Sequence, residues 1–196
     1  MKKSYKMISP LFLIILIAQS ITLNCQANIP SKYISDQEFI NMMTKTPTAI
    51  KTIYASPKGS GSTCSKYSPC SLQKAVKSLT RGFTLYLKGG KYDVGSGIEL
   101  TKSGTANLYI RISSAPNERA IITSSKKETV ALFEVSASYL IIENITFKDV
   151  TAKNVQGIVF YGGGQNHVII RNNIFDSLKT PKVSKNYGAN WILLMG

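Results

Sequence analysis

Tyr139 to Val150 reads YLIIENITFKDV, and His167 to Leu178 reads HVIIRNNIFDSL. At an offset of 28 residues Ile141 falls on Ile169, Ile142 on Ile170, Asn144 on Asn172 and Phe147 on Phe175. Glu143 falls on Arg171, which predicts two outward-facing neighbours of opposite charge. Self-similarity at a fixed period of roughly 20 to 50 residues marks a repeat architecture. The pair predicts two successive turns of a β-solenoid.

Working outward, short apolar runs recur from Ile98 to the end of the chain. They are Ile98–Leu100, Leu108–Ile112, Ala120–Ile122, Ala131–Val135, Leu140–Phe147, Gly157–Tyr161, Val168–Phe175 and Trp191–Met195. Turns rich in Gly, Ser, Asn, Pro and Lys separate them, so each reads as a strand. Ala131–Val135 and Gly157–Tyr161 stand 26 residues apart, close to the period of the first pair. Asn144 and Asn172 each sit between two apolar runs, as corner residues do. Asn tolerates the left-handed backbone that a sharp corner needs. Stacked on successive turns, the two amides are also expected to hydrogen-bond in a structural ladder. Asn144-Ile145-Thr146 matches a glycosylation sequon, for which a side chain inside a ladder would be a poor acceptor.

A length of 196 residues suits one domain with a sizeable core. Residues 1–27 read as a secretory signal: Lys2, Lys3 and Lys6, an apolar stretch Leu11–Ala18, and a small residue at Ala27. A lipoprotein acylated at Cys25 is the alternative. Without residues 1–27 the chain keeps 21 basic and 10 acidic residues, a net charge of +11. Such a surface attracts acidic polysaccharide, nucleic acid or an anionic envelope. No nucleic-acid motif accompanies the charge and the lysines are scattered, so no nucleic-acid partner is expected, and none in the membrane after signal cleavage. A basic surface serving solubility alone is the other reading. Cys64 and Cys70 have five residues between them, neither His nor acid among these. In an oxidising compartment that spacing favours a disulfide over a metal site.

Residues 28–52 read as a leader with a short helix, since Ser35-Asp36-Gln37-Glu38 fits a capping box before Phe39, Ile40 and Met43. Ile53–Ala55 reads as a strand. Ser71 can cap a helix in which Leu72, Ala75, Val76 and Leu79 share one face. Such an amphipathic helix suits the N-terminal end of a solenoid, which otherwise leaves apolar surface in water.

These residues resemble a known family. Tyr54–Tyr92 (YASPKGSGSTCSKYSPCSLQKAVKSLTRGFTLYLKGGKY) is similar to the opening of secreted right-handed parallel β-helix proteins of the pectate-lyase-like superfamily. Ile98–Ser125 resembles the segment that follows there, and YLIIENITFKD and HVIIRNNIFDS resemble its coils. The resemblance covers about Tyr54 to Phe175. It implies an all-β, right-handed parallel β-helix over residues 53–196 with the helix as N-terminal cap. It also implies polysaccharide lyases acting on pectate, alginate or chondroitin-type uronides, beside some hydrolases, epimerases and non-enzymatic surface proteins.

The implied elimination needs a cation, commonly Ca²⁺ on carboxylates, a Lys or Arg base poised by its neighbours, and a donor to the leaving oxygen. From Tyr139 onward the acids are Glu143, Asp149 and Asp176. Glu143 opposite Arg171 and Asp176 opposite Lys148 suit ladder pairing, so no catalytic residue is carried over and Ca²⁺ is expected only in a full-length homologue. Arg171, Lys179, Lys182 and Lys185 are candidates to line a groove for an acidic sugar chain, with solvated turn lysines the alternative. His167 reads as a rim residue, and Gly162-Gly163-Gly164 as a turn lacking the Lys and Ser/Thr of a phosphate loop. Asn190–Gly196 reads as an interior strand at the end of the chain, which points to a truncated member, or to a short β-helix that self-associates through that edge. The expected function is an exported lyase-like protein acting on or binding an acidic, uronate-containing polysaccharide. The alternative is a non-catalytic glycan-binding surface protein.

Overall fold

The computed structural model of the chain describes residues 36–180 and 189–194. Thirteen strands and two helices are defined among them. Helix α1 is Asp36–Thr44, strand β1 Lys51–Ala55 and helix α2 Leu72–Lys77. There follow β2 (Phe83–Leu87), β3 (Gly90–Asp93), β4 (Ile98–Leu100), β5 (Ile110–Ser114), β6 (Ala120–Thr123) and β7 (Thr129–Val135). The last are β8 (Leu140–Glu143), β9 (Thr146–Thr151), β10 (Asn154–Phe160), β11 (Val168–Arg171), β12 (Ile174–Lys179) and β13 (Ala189–Leu194).

Every strand pairing among the described residues is parallel, and from β2 onward every third strand shares a sheet. Sheet I runs β1-β2-β5-β8-β11, sheet II β3-β6-β9-β12 and sheet III β4-β7-β10-β13. The chain therefore visits sheets I, II and III in turn, and each circuit is one coil. The organising pair is two adjacent coils in register: Val168 pairs with Leu140, Ile170 with Ile142 and Arg171 with Glu143. On sheet III the register differs from the expected 26-residue offset. Phe133 pairs with Ile158 and Val135 with Phe160, an offset of 25. In a strand a one-residue slip exchanges the inner and outer faces, so this correction decides which side chains reach the core.

The core is a stack of identical positions. On sheet I Ile53, Leu85, Ile112 and Ile142 lie one above another and are all buried, with Ile170 packed against them. On sheet II the rings of Phe147 and Phe175 stack at 4.9 Å, and Phe133 of sheet III meets Phe147 edge-on at 5.2 Å. Burying one such side chain stabilises by about 1.5 to 3 kcal/mol, and the rows repeat that gain coil after coil.

Three left-handed positions recur on the last two coils. Tyr139 and His167 (φ 53° and 55°) enter sheet I, and Asn144 and Asn172 (58° and 55°) leave it. Asp149 and Ser177 (59° and 53°) kink the strands of sheet II. Gly162, Gly163 and Gly164 all have positive φ and form an open turn.

At the first coil, Ser71 caps α2 by accepting from the Lys74 amide at 3.3 Å. Leu72, Ala75 and Val76 of that helix are buried in the core. Cys64 and Cys70 form a disulfide with Cα atoms 4.6 Å apart. Their loop lies along the outer edge of β1: Tyr54 N donates to Cys64 O at 2.7 Å, Cys70 N to Tyr54 O at 3.1 Å and Ser56 N to Cys70 O at 3.0 Å. An edge strand with unpaired amides invites unwanted pairing, and the disulfide loop satisfies this one.

Candidate polyanion-binding face

On sheet I alternate residues point away from the core. One outward row is Arg111, Ile141 and Ile169, and the next is Tyr86, Ser113, Glu143 and Arg171. Outward does not mean exposed. Ile141 and Ile169 are buried with Tyr109, and Met43 and Tyr139 pack on them. The last turn of α1, with the leader residues that follow it, provides this cover. The leader also crosses the coils lengthwise: Lys45 Nζ donates to Ala106 O at 2.9 Å and stands 4.4 Å over the Tyr109 ring, and Ile50 N donates to Gly82 O at 2.8 Å.

Glu143 pairs with Arg171 as the sequence predicts, but the setting is corrected. The Glu143 side chain is only 3% exposed, because a second guanidinium closes over it. Arg171 Nε donates to Glu143 Oε2 at 2.5 Å, and Arg111 donates through Nε and Nη2 to Glu143 Oε1. Arg111 Nη1 donates to the Tyr86 hydroxyl at 2.9 Å, and Arg171 donates to the carbonyls of Met43 and Lys45. Burial draws the Arg111 pKa down, but the hydrogen bonds to Glu143 and Tyr86 and the Glu143 charge outweigh it and leave it raised.

Of the candidate groove residues, Arg171 is therefore anchored. Lys179 is exposed on β12 of sheet II, away from Arg171 on sheet I, and Lys182 and Lys185 lie outside the described residues. Sheet I thus brings Arg171 together with Arg111, which sequence reasoning missed. The signal lay in the alternation of IRISS, whose single charge stands between two core isoleucines. Asn144 and Asn172 stand at the corners, but among the described residues no hydrogen bond joins their amides. Asn144 Nδ2 donates to Ser113 Oγ at 3.2 Å. The neighbouring Asn173 bridges the coils instead, accepting from Ile145 N at 3.0 Å and donating to Ile142 O at 2.9 Å. His167 stacks on Tyr139 at 4.6 Å and contacts Asn166, as an exposed rim residue.

Elsewhere Lys148 meets Asp176 at 3.0 Å on the outer face of sheet II. Glu99 and Glu134 pair across sheet III. Burial, and then the Glu99 charge, raise the Glu134 pKa. Among the described residues no group of three or more His, Cys, Asp or Glu can hold a metal ion. A multi-carboxylate Ca²⁺ site does not fit these described residues. Among the same residues no helix is long and apolar enough to cross a membrane.

Over 72 residues the chain is 42% identical to pectate lyase PEL9 of Emericella nidulans, a stretch of 36% of this chain and 18% of that protein. The chain thus spans under a fifth of the curated relative's length. A mannuronic acid specific polysaccharide family 6 lyase from human gut microbiota superposes with a TM-score of 0.53 at 20% identity, covering 74% of this chain and 31% of that one. That likeness is one of fold. Pectate lyase Pel9A aligns at 20% identity over 76% of this chain and 40% of its own, with a TM-score of 0.43. The model of the Pel9A-like right-handed β-helix region matches residues 53–190, from within β1 to the first residues of β13. With most of its length matched, the chain belongs to the Pel9A-like right-handed β-helix family.

Proposed function

We propose that the protein is exported and acts on or binds an acidic, uronate-containing polysaccharide. Family membership over residues 53–190 is the observation that carries this reading. The charge supports it: a net +14, or +11 once the signal-like residues 1–27 are removed, attracts a polymer bearing one carboxylate per sugar. Export is supported by the basic, then apolar, then small-residue order of those first residues and by the disulfide, which an oxidising compartment favours.

The test uses the whole chain on pectate, alginate and chondroitin, with and without added Ca²⁺. Retention on the acidic polymers that weakens with salt, and is absent on a neutral glucan, is the expected binding result. A rise in unsaturated-uronate absorbance would add lyase activity. Retention by none of the three polymers, with no absorbance rise, sinks the reading.

A further inference from the structure

We infer that the cleft beside the Arg111–Glu143–Arg171 ladder is a carboxylate-binding subsite, which takes one uronate of an acidic sugar chain. The ligand class rests on the polysaccharide reading above, whereas the site itself rests on geometry.

The cleft measures about 490 Å³ and opens where sheet I turns into sheet II. Met43 and Thr44 of α1, the corner residues Asn144 and Asn172, and the three ladder side chains line it. A second cleft of about 310 Å³ shares Arg111 and Asn144, so the two form a groove running toward Tyr86.

Charge and donor count point to an anion. Two guanidiniums share a single carboxylate, which leaves one positive charge over, while their side chains are only 19% and 14% exposed. A poorly hydrated surplus charge is costly without a counter-ion. A guanidinium has five N–H donors. Three on Arg111 are taken by Glu143 and Tyr86, and three on Arg171 by Glu143, Met43 and Lys45. Each retains two, and the amide of Asn172 at the mouth has no hydrogen-bond partner among the described residues. Planar N–H pairs of this kind match a carboxylate in two-point contact. The leader's hold on Arg171 fixes the guanidinium, so little side-chain freedom is lost when an anion arrives.

The test follows the Arg Nε–H resonances of the intact chain while galacturonate trimer is added. The fully methyl-esterified trimer, acetate and sulfate serve as the other arms. Saturable shifts at Arg111 and Arg171 with the acidic trimer, and none with the ester, are expected. Equal shifts with the ester, or a response to sulfate alone, overturn the inference, as does silence of both resonances. Arg171 variants are liable to unfold, so the second arm is Asn172→Asp, which adds a negative charge at the mouth and leaves the ladder intact. Trimer affinity should drop at least tenfold at low salt with the melting temperature unchanged, and unchanged affinity overturns the site. The two readings separate cleanly. Polymer retention with silent arginine resonances removes this site and keeps the polysaccharide reading. Shifted resonances without retention or product do the reverse.

Discussion

The guanidinium of Arg171 donates to the backbone carbonyl of Lys45 at 2.9 Å, across a sequence separation of 126 residues. The leader and the last described coil are thereby held to each other, and Lys45 reaches the second coil through Ala106. A solenoid's coils contact only their neighbours; this contact crosses several. Met43→Ala should uncover Ile141 and Ile169 and destabilise by about 2 to 3 kcal/mol, toward the low end for a truncated core methionine. Hydrogen exchange should speed up along β8 and β11 together. Exchange unchanged in both strands would show that the leader is not part of the folded unit.

Glu143 is the keystone of the charge ladder. Glu143→Gln keeps the shape and leaves two poorly exposed guanidiniums without their anion. A loss of about 3 to 5 kcal/mol is expected, because a buried charge pair broken on one side costs far more than the intact pair contributes. Urea denaturation measures it. High salt should restore little of the loss, since the Glu143 side chain is only 3% exposed.

Glu134 sets a pH dependence. Its carboxyl pKa is raised by burial and then by Glu99. A carboxyl titrating higher in the folded state favours folding at acid pH, below its unfolded pKa. That contribution is lost as pH rises through the folded value. Glu134→Gln should therefore raise the melting temperature at pH 7 and leave it nearly unchanged at pH 3. The gain should stay below about 1 kcal/mol, as solvent screens a partly exposed pair. A variant less stable than the parent at pH 7 would contradict the assignment.

The Cys64–Cys70 bridge should stabilise by about 2 kcal/mol, the chain-entropy value for so short a loop. Its loss in a Cys64→Ser, Cys70→Ser double variant should act locally. Amides of β1 that pair with the loop should exchange faster while β8 to β12 keep their protection. Leu72→Ala in α2 should produce the same local pattern if that helix caps the first coil. Uniform loss across all coils would argue against an end-cap role.

How much of this was legible follows from the residues themselves. The 28-residue repeat showed because Asn144 and Asn172 mark equivalent corners and the flanking isoleucines align in register. The register of sheet III did not, because Val155, Gln156, Gly157, Ile158 and Val159 are all buried. With both faces covered, a strand loses the alternation that would fix its phase. Arg111 was hidden because its partner Glu143 lies 32 residues away and only coil stacking brings them together. The leader's grip on Arg171 runs through the carbonyls of Met43 and Lys45, and every residue has a carbonyl. Asn173 bridges the coils in place of Asn172, and residue type alone does not distinguish two adjacent asparagines.

The left-handed triplet Tyr139, Asn144 and Asp149 is matched by His167, Asn172 and Ser177, each 28 residues later. Residues 139–166 therefore behave as a cassette. Copied in tandem, the cassette would set every conformationally demanding residue above an equivalent one and require no new corner. Each copy would lengthen the rod by about 4.8 Å, the spacing of paired strands. Reach along a ligand is then a quantity that gene duplication adjusts in fixed steps, independently of whatever chemistry any single coil carries.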